Sequence, residues 1–409
     1  MIRFIHTADI HFGMENYGKI DSTTGIHTRL LDFQKALNLC IDRAIEEDVD
    51  FFLFAGDAYK TTHPSPTQQR LLIECLLRLF QAHIPVVIVI GNHDNPLSFG
   101  KAHSLDLFNR IPLSGFHVID KPRSFTLTTK SGPVQIVGIP WPSRPTLALN
   151  ATEHKKPDEL NTLISSSVTS LVKDYAQKLD MNLPAVLTAH LTVSTAIFSG
   201  SERRAIHGKD PLFLPSQLAI DPFDYVALGH IHRYQNLNPN SHPAVVYSGS
   251  IDRIDFGERK ESKGFCLVTI DDNKKTDHEF IELPTRPFVQ VELHLVEEKS
   301  QTEQIIAELR KHTLDNAIIK VLYHIPVGCQ DKVDTKAIYN VCSKAMYIVG
   351  IIPVHKPKIR EGRSSLHVNM DFETLLTTYF KHKDIPAKKI ERLITLAQEL
   401  KNSRETTEN

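Results

Sequence analysis

Five short polar clusters carry residue types that bind metals. Asp9 with His11, Gly56-Asp57, Gly91-Asn92-His93-Asp94, His190, and Gly229-His230-Ile231-His232 each follow directly on an apolar run. Aspartate, asparagine and histidine are hard-to-borderline ligands suited to manganese, iron or zinc, and no thiolate stands among them. Counted as ligands they fill two sites: one divalent ion takes Asp9, His11 and His232, the second takes Asn92, His190 and His230, and the Asp57 carboxylate bridges them. Neutral imidazoles are needed because a site built of carboxylates alone would repel itself. Two cations roughly 3.5–4 Å apart clamp a phosphate, generate a nucleophile from water and stabilise the leaving oxygen of an in-line displacement. His93, next to Asn92, is placed to protonate the leaving alkoxide as a general acid. Asp94 either holds the other ring nitrogen of His93 or caps a helix opened by Asn95-Pro96. Gly56, Gly91 and Gly229 permit tight turns. His6, His27, His63, His103, His207 and His242 lack such company and read as surface or core histidines. Arg203, Arg204 and Lys209 form a basic loop after His190 that suits either a phosphate backbone or plain solvation.

These clusters can share a site only if the elements before them deliver them to one place. Ile2–His6, Val49–Ala55, Pro85–Ile90, Pro184–Ala189 and Tyr225–Leu228 read as buried strands too short for helices. Asp32–Glu47 puts Phe33, Leu37, Cys40, Ile41 and Ala44 on one helical face, and Asp158–Leu179 does the same with Leu160, Leu163, Ile164, Leu171, Val172 and Tyr175. Residues 1–285 thus read as a layered α/β domain on a mixed sheet. Its strand carboxyl ends converge on one crevice, so positions two hundred residues apart can meet there. Residues 286–355 restart the pattern as a small β-α-β-α-β domain. Residues 356–370 read as a linker. Over 371–401, Asp371 caps a helix bearing Phe372, Leu375, Leu376, Tyr379 and Phe380, and Pro386 opens a second bearing Ile390, Leu393, Ile394 and Ala397. Such a hairpin either folds back on its own domain or docks a partner.

Composition narrows the class. The chain has 409 residues, with 47 Lys+Arg against 48 Asp+Glu, 41% hydrophobic and 23% charged. It is an ordinary globular balance. The longest apolar stretch, Ile84–Ile90, falls far short of the roughly 18 residues of a membrane span. The amino terminus lacks a secretory pattern. Cys40, Cys75, Cys266, Cys329 and Cys342 form no CxxC pair, and Cys40 and Cys342 lie on helical apolar stripes. They read as buried thiols in a reducing cytosol. A net charge of −1 means that any nucleic-acid groove is local or supplied by a partner.

The ordered set Asp9-x-His11, Gly56-Asp57, Gly91-Asn92-His93-Asp94, His190 and Gly229-His230-x-His232 resembles the calcineurin-like metallophosphoesterase superfamily. That resemblance implies a β-sandwich flanked by helices, with a small α+β capping domain and a C-terminal helical hairpin. Within it, Tyr247-Ser248-Gly249-Ser250-Ile251-Asp252-Arg253-Ile254-Asp255-Phe256-Gly257-Glu258 is similar to DNA repair nucleases of the SbcD type, as are Ser199–Arg203 and Pro64-Ser65-Pro66. The resemblance spans essentially the whole chain. It implies a nuclease using two Mn²⁺ ions, a 3′-to-5′ exonuclease on duplex ends and an endonuclease on single strands or hairpins. It further implies a coiled-coil ATPase of the SbcC type docked on 371–401, a homodimer through Gln68–Phe80 and Leu97–Phe108, and a prokaryotic cytoplasmic, nucleoid-associated setting. One departure stands out: related DNA nucleases often carry a His or an acidic residue three positions after the bridging Asp, where this chain has Lys60. Two other readings are a phosphatase for phosphomonoesters and a non-catalytic scaffold. Protein phosphatases of the superfamily carry Gly-Asp-x-Val-Asp-Arg-Gly and Asn-His-Glu, against Gly56-Asp57-Ala58-Tyr59-Lys60 and Asn92-His93-Asp94 here.

Overall fold

The computed structural model describes residues 1–95, 102–110, 115–144, 146–147, 156–200, 210–354, 371–383 and 385–405. In chain order the elements are β1 (Ile2–Thr7), α1 (Thr28–Glu46), β2 (Phe51–Phe54), α2 (Pro66–Gln81), β3 (Val86–Val89), α3 (Leu107–Arg110), β4 (Phe116–Ile119), β5 (Arg123–Thr129), β6 (Gly132–Ile139), α4 (Pro157–Ala176), β7 (Ala185–His190), β8 (Thr192–Val193), β9 (Leu212–Phe213) and α5 (Pro215–Leu218). There follow β10 (Tyr225–Gly229), β11 (Gln235–Asn236), β12 (Ala244–Tyr247), β13 (Gly264–Ile270), β14 (Thr276–Glu282), β15 (Phe288–His294), α6 (Gln301–Leu309), β16 (Ile318–His324), α7 (Thr335–Val341), β17 (Tyr347–Val354), α8 (Phe372–His382) and α9 (Ala387–Glu405).

Two six-stranded sheets face each other, ordered β14-β13-β1-β2-β3-β4 and β11-β12-β10-β7-β6-β5. The strands that lead to the polar clusters run parallel within each sheet: β1 with β2, β2 with β3, and β7 with β10. Alternation along β2 shows how the layers form. Phe51 and Leu53 join Phe4, Val87 and Val89 against Ile136, Val186 and Ala227 of the other sheet. Phe52 and Phe54 turn outward with Ile88 onto Phe33 and Leu37 of α1 and Leu72 and Leu76 of α2. On the far side, Val137, Leu187 and Val226 pack on Val168 and Val172 of α4. The layered α/β reading on a mixed sheet is thus refined to two sheets, the sandwich flanked by helices that the resemblance implies. Strands buried on both faces read as unbroken apolar runs, and such runs do not tell a covering helix from a covering sheet.

Local signals explain the helices that frame the crevice. Ser65 closes a capping box with Gln68, and Pro66 occupies the first turn of α2. The expected helix over Leu97–Phe108 differs: residues 97–101 lie outside the described set, and a single 3₁₀ turn, Ser104–Asp106, precedes α3. The basic loop with Arg203, Arg204 and Lys209, His207 and the expected linker also lie outside it.

The chain divides into two compact units, Met1–Pro353 and Val354–Asn409. In the first, β15, β16 and β17 form a three-stranded sheet with its own core, including Val291, Ile305, Ile319, Val321 and Ile338. Phe288 and Ile318 of that sheet instead join Phe256. In the second unit, the Asp371 carboxylate accepts the Thr374 N–H at 3.0 Å and caps α8. Ile390 is buried, Leu376 and Phe380 are half-buried, and Phe372, Leu375 and Tyr379 stay exposed. No helix among the described residues is long and apolar enough to cross a membrane. Cys40, Cys75, Cys266 and Cys342 are buried free thiols.

Candidate metal centre

The two sheets deliver their strand ends to one place by close backbone approach. Asp9 N–H donates to the Gly56 carbonyl at 2.9 Å, and His11 N–H donates to the Asp57 carbonyl at 3.1 Å, lacing the turn after β1 to the turn after β2. The Asp9 carboxylate then accepts the His230 N–H at 3.0 Å, which ties the first sheet to the second. A Cβ added to Gly229 would stand 2.2 Å from the Ala55 carbonyl oxygen, and one on Gly91 would stand 2.1 Å from Asp57 Oδ1. Only Gly56, at φ +105°, needs glycine for backbone freedom as expected. Gly91 and Gly229 are needed for space. Asp9, His11, Asp57 and His230 have φ of 54°, 52°, 59° and 104°, a region that non-glycine residues enter at a cost. Strain therefore gathers on the would-be ligands themselves.

All seven expected ligands converge. His11 Nε2 lies 3.1 Å from His232 Nε2, and Asn92 Oδ1 lies 3.0 Å from both His190 Nε2 and His230 Nδ1. Asp57 Oδ2 sits between the groups, 3.7 Å from His11 Nε2 and 3.4 Å from His190 Nε2. Donor atoms of Asp9, His11 and His232 lie within 4.8 Å of one another, as do those of Asp57, His190 and His230. Metal–nitrogen bonds are about 2.0–2.1 Å, so ligands at right angles around one ion stand about 3 Å apart, the spacing seen here.

The far side of each imidazole fixes which nitrogen faces inward. His190 Nδ1 donates to the Ala55 carbonyl at 2.8 Å, so its Nε2 presents a lone pair. His232 Nδ1 meets Glu258 Oε1 at 2.9 Å, and His230 Nε2 meets Asp210 Oδ2 at 3.0 Å. Glu258 is itself paired with Lys263 at 2.9 Å. Asp210, Glu258 and Lys263 were not expected as members of the site. With outer protons committed, His190 Nε2, His230 Nδ1 and Asn92 Oδ1 crowd together as acceptors with no hydrogen between them. A divalent cation satisfies that set, as a proton on His190 does in its absence, so the residues present fit a metal pair.

His93 and Asp94 differ from expectation. His93 Nδ1 donates to the Lys60 carbonyl at 2.8 Å, which leaves Nε2 to move a proton. Asp94 does not orient His93. It is fully buried, and its carboxylate accepts the N–H groups of Ala58, Tyr59 and Gly91 at 3.2, 3.0 and 3.2 Å. It clamps the turn after β2 to the turn after β3, and its helix-cap role falls on residues outside the described set. The set-aside histidines include His6, in the core, His27, which caps α1, and His63, exposed beside Thr62.

Electrostatics agree with a centre short of positive charge. Burial pushes Asp9 up to about 7, with His190 and His232 acting the other way. Burial would raise Asp57 too, but His190, His93 and His11 hold it well below its ordinary value. Burial disfavours the charged ring of His190, yet Asp57 and Asp9 lift it to about 9. Burial lowers His11, His230 and His93, in each case opposed by a nearby carboxylate. The site opens into a cleft of about 390 Å³ lined by, among others, His11, Tyr17, Lys60, His93, Asp210 and Asp255.

Residues 2–234, more than half of the chain, match the family of calcineurin-like phosphoesterases, and the chain belongs to that family. Among solved structures it is similar to the TT1561 protein of Thermus thermophilus, at 12% identity and a TM-score of 0.38, over 68% of this chain and 98% of that one. It is also similar to a dimetal phosphatase from Danio rerio, at 14% identity and a TM-score of 0.39, over 65% of this chain and 92% of that one. Family and side-chain clusters together make this a metal-dependent phosphoesterase centre.

Proposed function

We propose that this calcineurin-like phosphoesterase is the Mn²⁺-dependent nuclease subunit of a DNA end-processing and repair complex, cutting phosphodiester bonds as a 3′-to-5′ exonuclease on duplex ends and as an endonuclease on single strands and hairpins. The observation that carries the DNA reading is where Tyr247–Glu258, the segment similar to SbcD-type nucleases, meets the site. Glu258 holds His232, Ser250 N–H donates to the His232 carbonyl at 3.0 Å, and Ile254 and Asp255 line the cleft. Lys60 lines the same cleft, and its charge reaches His11 and His93.

When bound, a pair of divalent cations supplies Lewis acidity at the phosphoryl oxygens and a nucleophile from water at neutral pH. The chain does the rest. Asp57 spans the two ligand groups, and Asp210 and Glu258 keep His230 and His232 in the tautomers that face inward. His93 Nε2 hands a proton to the departing 3′ or 5′ oxygen. An incoming phosphate adds negative charge beside that ring, which favours its charged form as Asp57 does.

The protein is incubated with Mn²⁺, Mg²⁺ or chelator, and end-labelled duplex DNA, single-stranded DNA and p-nitrophenyl phosphate are compared, with Asp57→Ala as control. Mn²⁺-dependent DNA shortening, absent from Asp57→Ala, is expected. Phosphomonoester turnover without DNA cleavage would overturn the nuclease reading.

Partners belong to the same proposal: a coiled-coil ATPase on 371–401 and a second copy through nuclease-domain helices, α2 among them. The exposed Phe372, Leu375 and Tyr379 supply the apolar surface that such an ATPase would cover. Deleting 371–401 is expected to spare Mn²⁺-dependent cleavage of simple substrates and to abolish co-purification with the ATPase. Retained co-purification would sink the docking assignment.

A further inference from the structure

An aromatic ring stands in the cleft beside the metal centre for which the hydrolytic machinery has no use. Tyr17 lines the same cleft as His11, His93 and His230. Its ring meets Phe256 with centroids 5.2 Å apart at 79° and Phe288 at 6.0 Å and 85°, and those two rings stand 5.0 Å from each other. Phe256 belongs to the turn whose Glu258 holds His232, and Phe288 belongs to β15 of the small sheet. Ile318, Tyr347 and Val349 of that sheet complete the apolar cluster. Tyr17 is therefore set in place from both sides.

Plain packing does not account for its backbone. Tyr17 has φ +58°, and a bulky residue there costs of order 1–3 kcal/mol and persists only where its surroundings impose it. They do so here. Asn16 Nδ2 donates to the Ile254 carbonyl at 2.9 Å, and a Cβ on Gly18 would come within 2.6 Å of His27 and Thr28. The loop is wedged so that the half-buried ring keeps a surface on the cleft. Lys60 lines the same cleft and, among the described residues, has no carboxylate within ion-pair distance. A cation and an aromatic ring lining one cleft can together grip a nucleic acid strand, charge on the backbone and a π-face on the base.

We infer that Tyr17 is the stacking platform for a nucleobase of the strand whose phosphate enters the metal centre, with the small sheet fixing the ring through Phe288. The inference rests on the phosphodiesterase reading and names a specificity-determining contact within it. Stacking on one aromatic ring tolerates any base, so the contact selects nucleotides over simple phosphate esters without selecting sequence.

Binding is measured in chelator, separate from hydrolysis, with single-stranded oligonucleotides carrying 2-aminopurine or an abasic analogue scanned along the 3′ end. Wild type is expected to quench 2-aminopurine at one position and to bind the abasic analogue there more weakly. Tyr17→Ala is expected to lose the quenching and to bind the base-containing strand roughly 5- to 150-fold more weakly. Tyr17→Phe and Tyr17→Trp are expected to restore both, and Tyr17→Ala to bind intact and abasic strands alike, whereas a merely structural loss would weaken both strands and keep their difference. Equal binding of abasic and intact strands by the wild type overturns the inference, as does full affinity in Tyr17→Ala. The two readings fail differently: Mn²⁺-dependent DNA cleavage with no ring-dependent quenching removes the platform alone, whereas absent DNA cleavage removes the nuclease reading.

Discussion

At the scale of single residues, the convergence of the candidate ligands could be read from the sequence because each follows a recognisable strand, and strand ends in α/β proteins converge. Their supports could not. Asp210 lies 20 positions from His230, and Glu258 lies 26 from His232, in loops with no periodicity to register them. Under the proposed function they would govern the metal indirectly, since an imidazole binds through whichever nitrogen its outer partner leaves bare. Asp210→Asn keeps the shape and removes the charge that holds His230. Mn²⁺ affinity, measured by isothermal titration, is expected to drop about 10–100-fold. Unchanged affinity would mean that His230 is oriented by something else. His93 poses the opposite test. It stands beside His11 and Asp57, with donor atoms within 4.8 Å of one another, but is assigned as the acid and not as a ligand; His93→Ala should then keep its metal content by elemental analysis while turnover falls by about 10²–10⁴-fold. Full turnover in that variant would end its role as general acid. Asp94 shows where adjacency misleads: next to His93 in sequence, it serves the backbone of Ala58, Tyr59 and Gly91 instead.

At the scale of elements, β1, β2, β3, β7 and β10 appear where the apolar runs predict, as does the β-α-β-α-β order of the small sheet. What periodicity could not give is the layer that covers each face. Ile5 and Phe4 are equally buried, but Ile5 meets helices and Phe4 meets the second sheet. Composition does not separate the two kinds of cover. Glycines mark the join after the fact. Gly229 ends β10 with its Cα against the Ala55 carbonyl just past β2, so a methyl group at Gly229 forces the two sheets apart at the point where both deliver ligands. Gly229→Ala is expected to lower the unfolding free energy in chelator by about 1–3 kcal/mol, the usual cost of overpacking a well-packed site, and to weaken Mn²⁺ binding in parallel. Urea denaturation with and without Mn²⁺ reads both. A variant as stable as wild type and as tight for Mn²⁺ would show that the sheets have room to shift.

At the scale of the whole molecule, a polar group that reads from the sequence as a surface or core histidine bridges the two sheets. His6, on β1, is fully buried; its Nδ1 lies 3.1 Å from the Tyr225 hydroxyl and its Nε2 3.1 Å from the Leu228 carbonyl, both on β10 of the opposite sheet. A carbonyl only accepts, so Nε2 carries a proton, and burial keeps the ring from taking a second at Nδ1. Burial holds its pKa down to about 3, with the Leu228 carbonyl acting the other way. In the unfolded chain the same ring takes a proton near its ordinary 6.5. Between those two values the unfolded state binds more protons than the folded one, so stability is full above about pH 6.5 and is lost as pH falls towards 3. From pH 7 to pH 5 that single group should cost about 2 kcal/mol. His6→Gln keeps a donor and an acceptor in the cleft between the sheets but cannot titrate there. Its urea unfolding free energy in chelator is expected to be lower at pH 7 and to change about 2 kcal/mol less than wild type between pH 7 and pH 5. Because carboxylates and the remaining histidines titrate in both proteins, the difference between the two profiles isolates His6. Parallel profiles would mean that the ring is already charged within the sandwich, and the neutral bridge between the sheets would have to be abandoned.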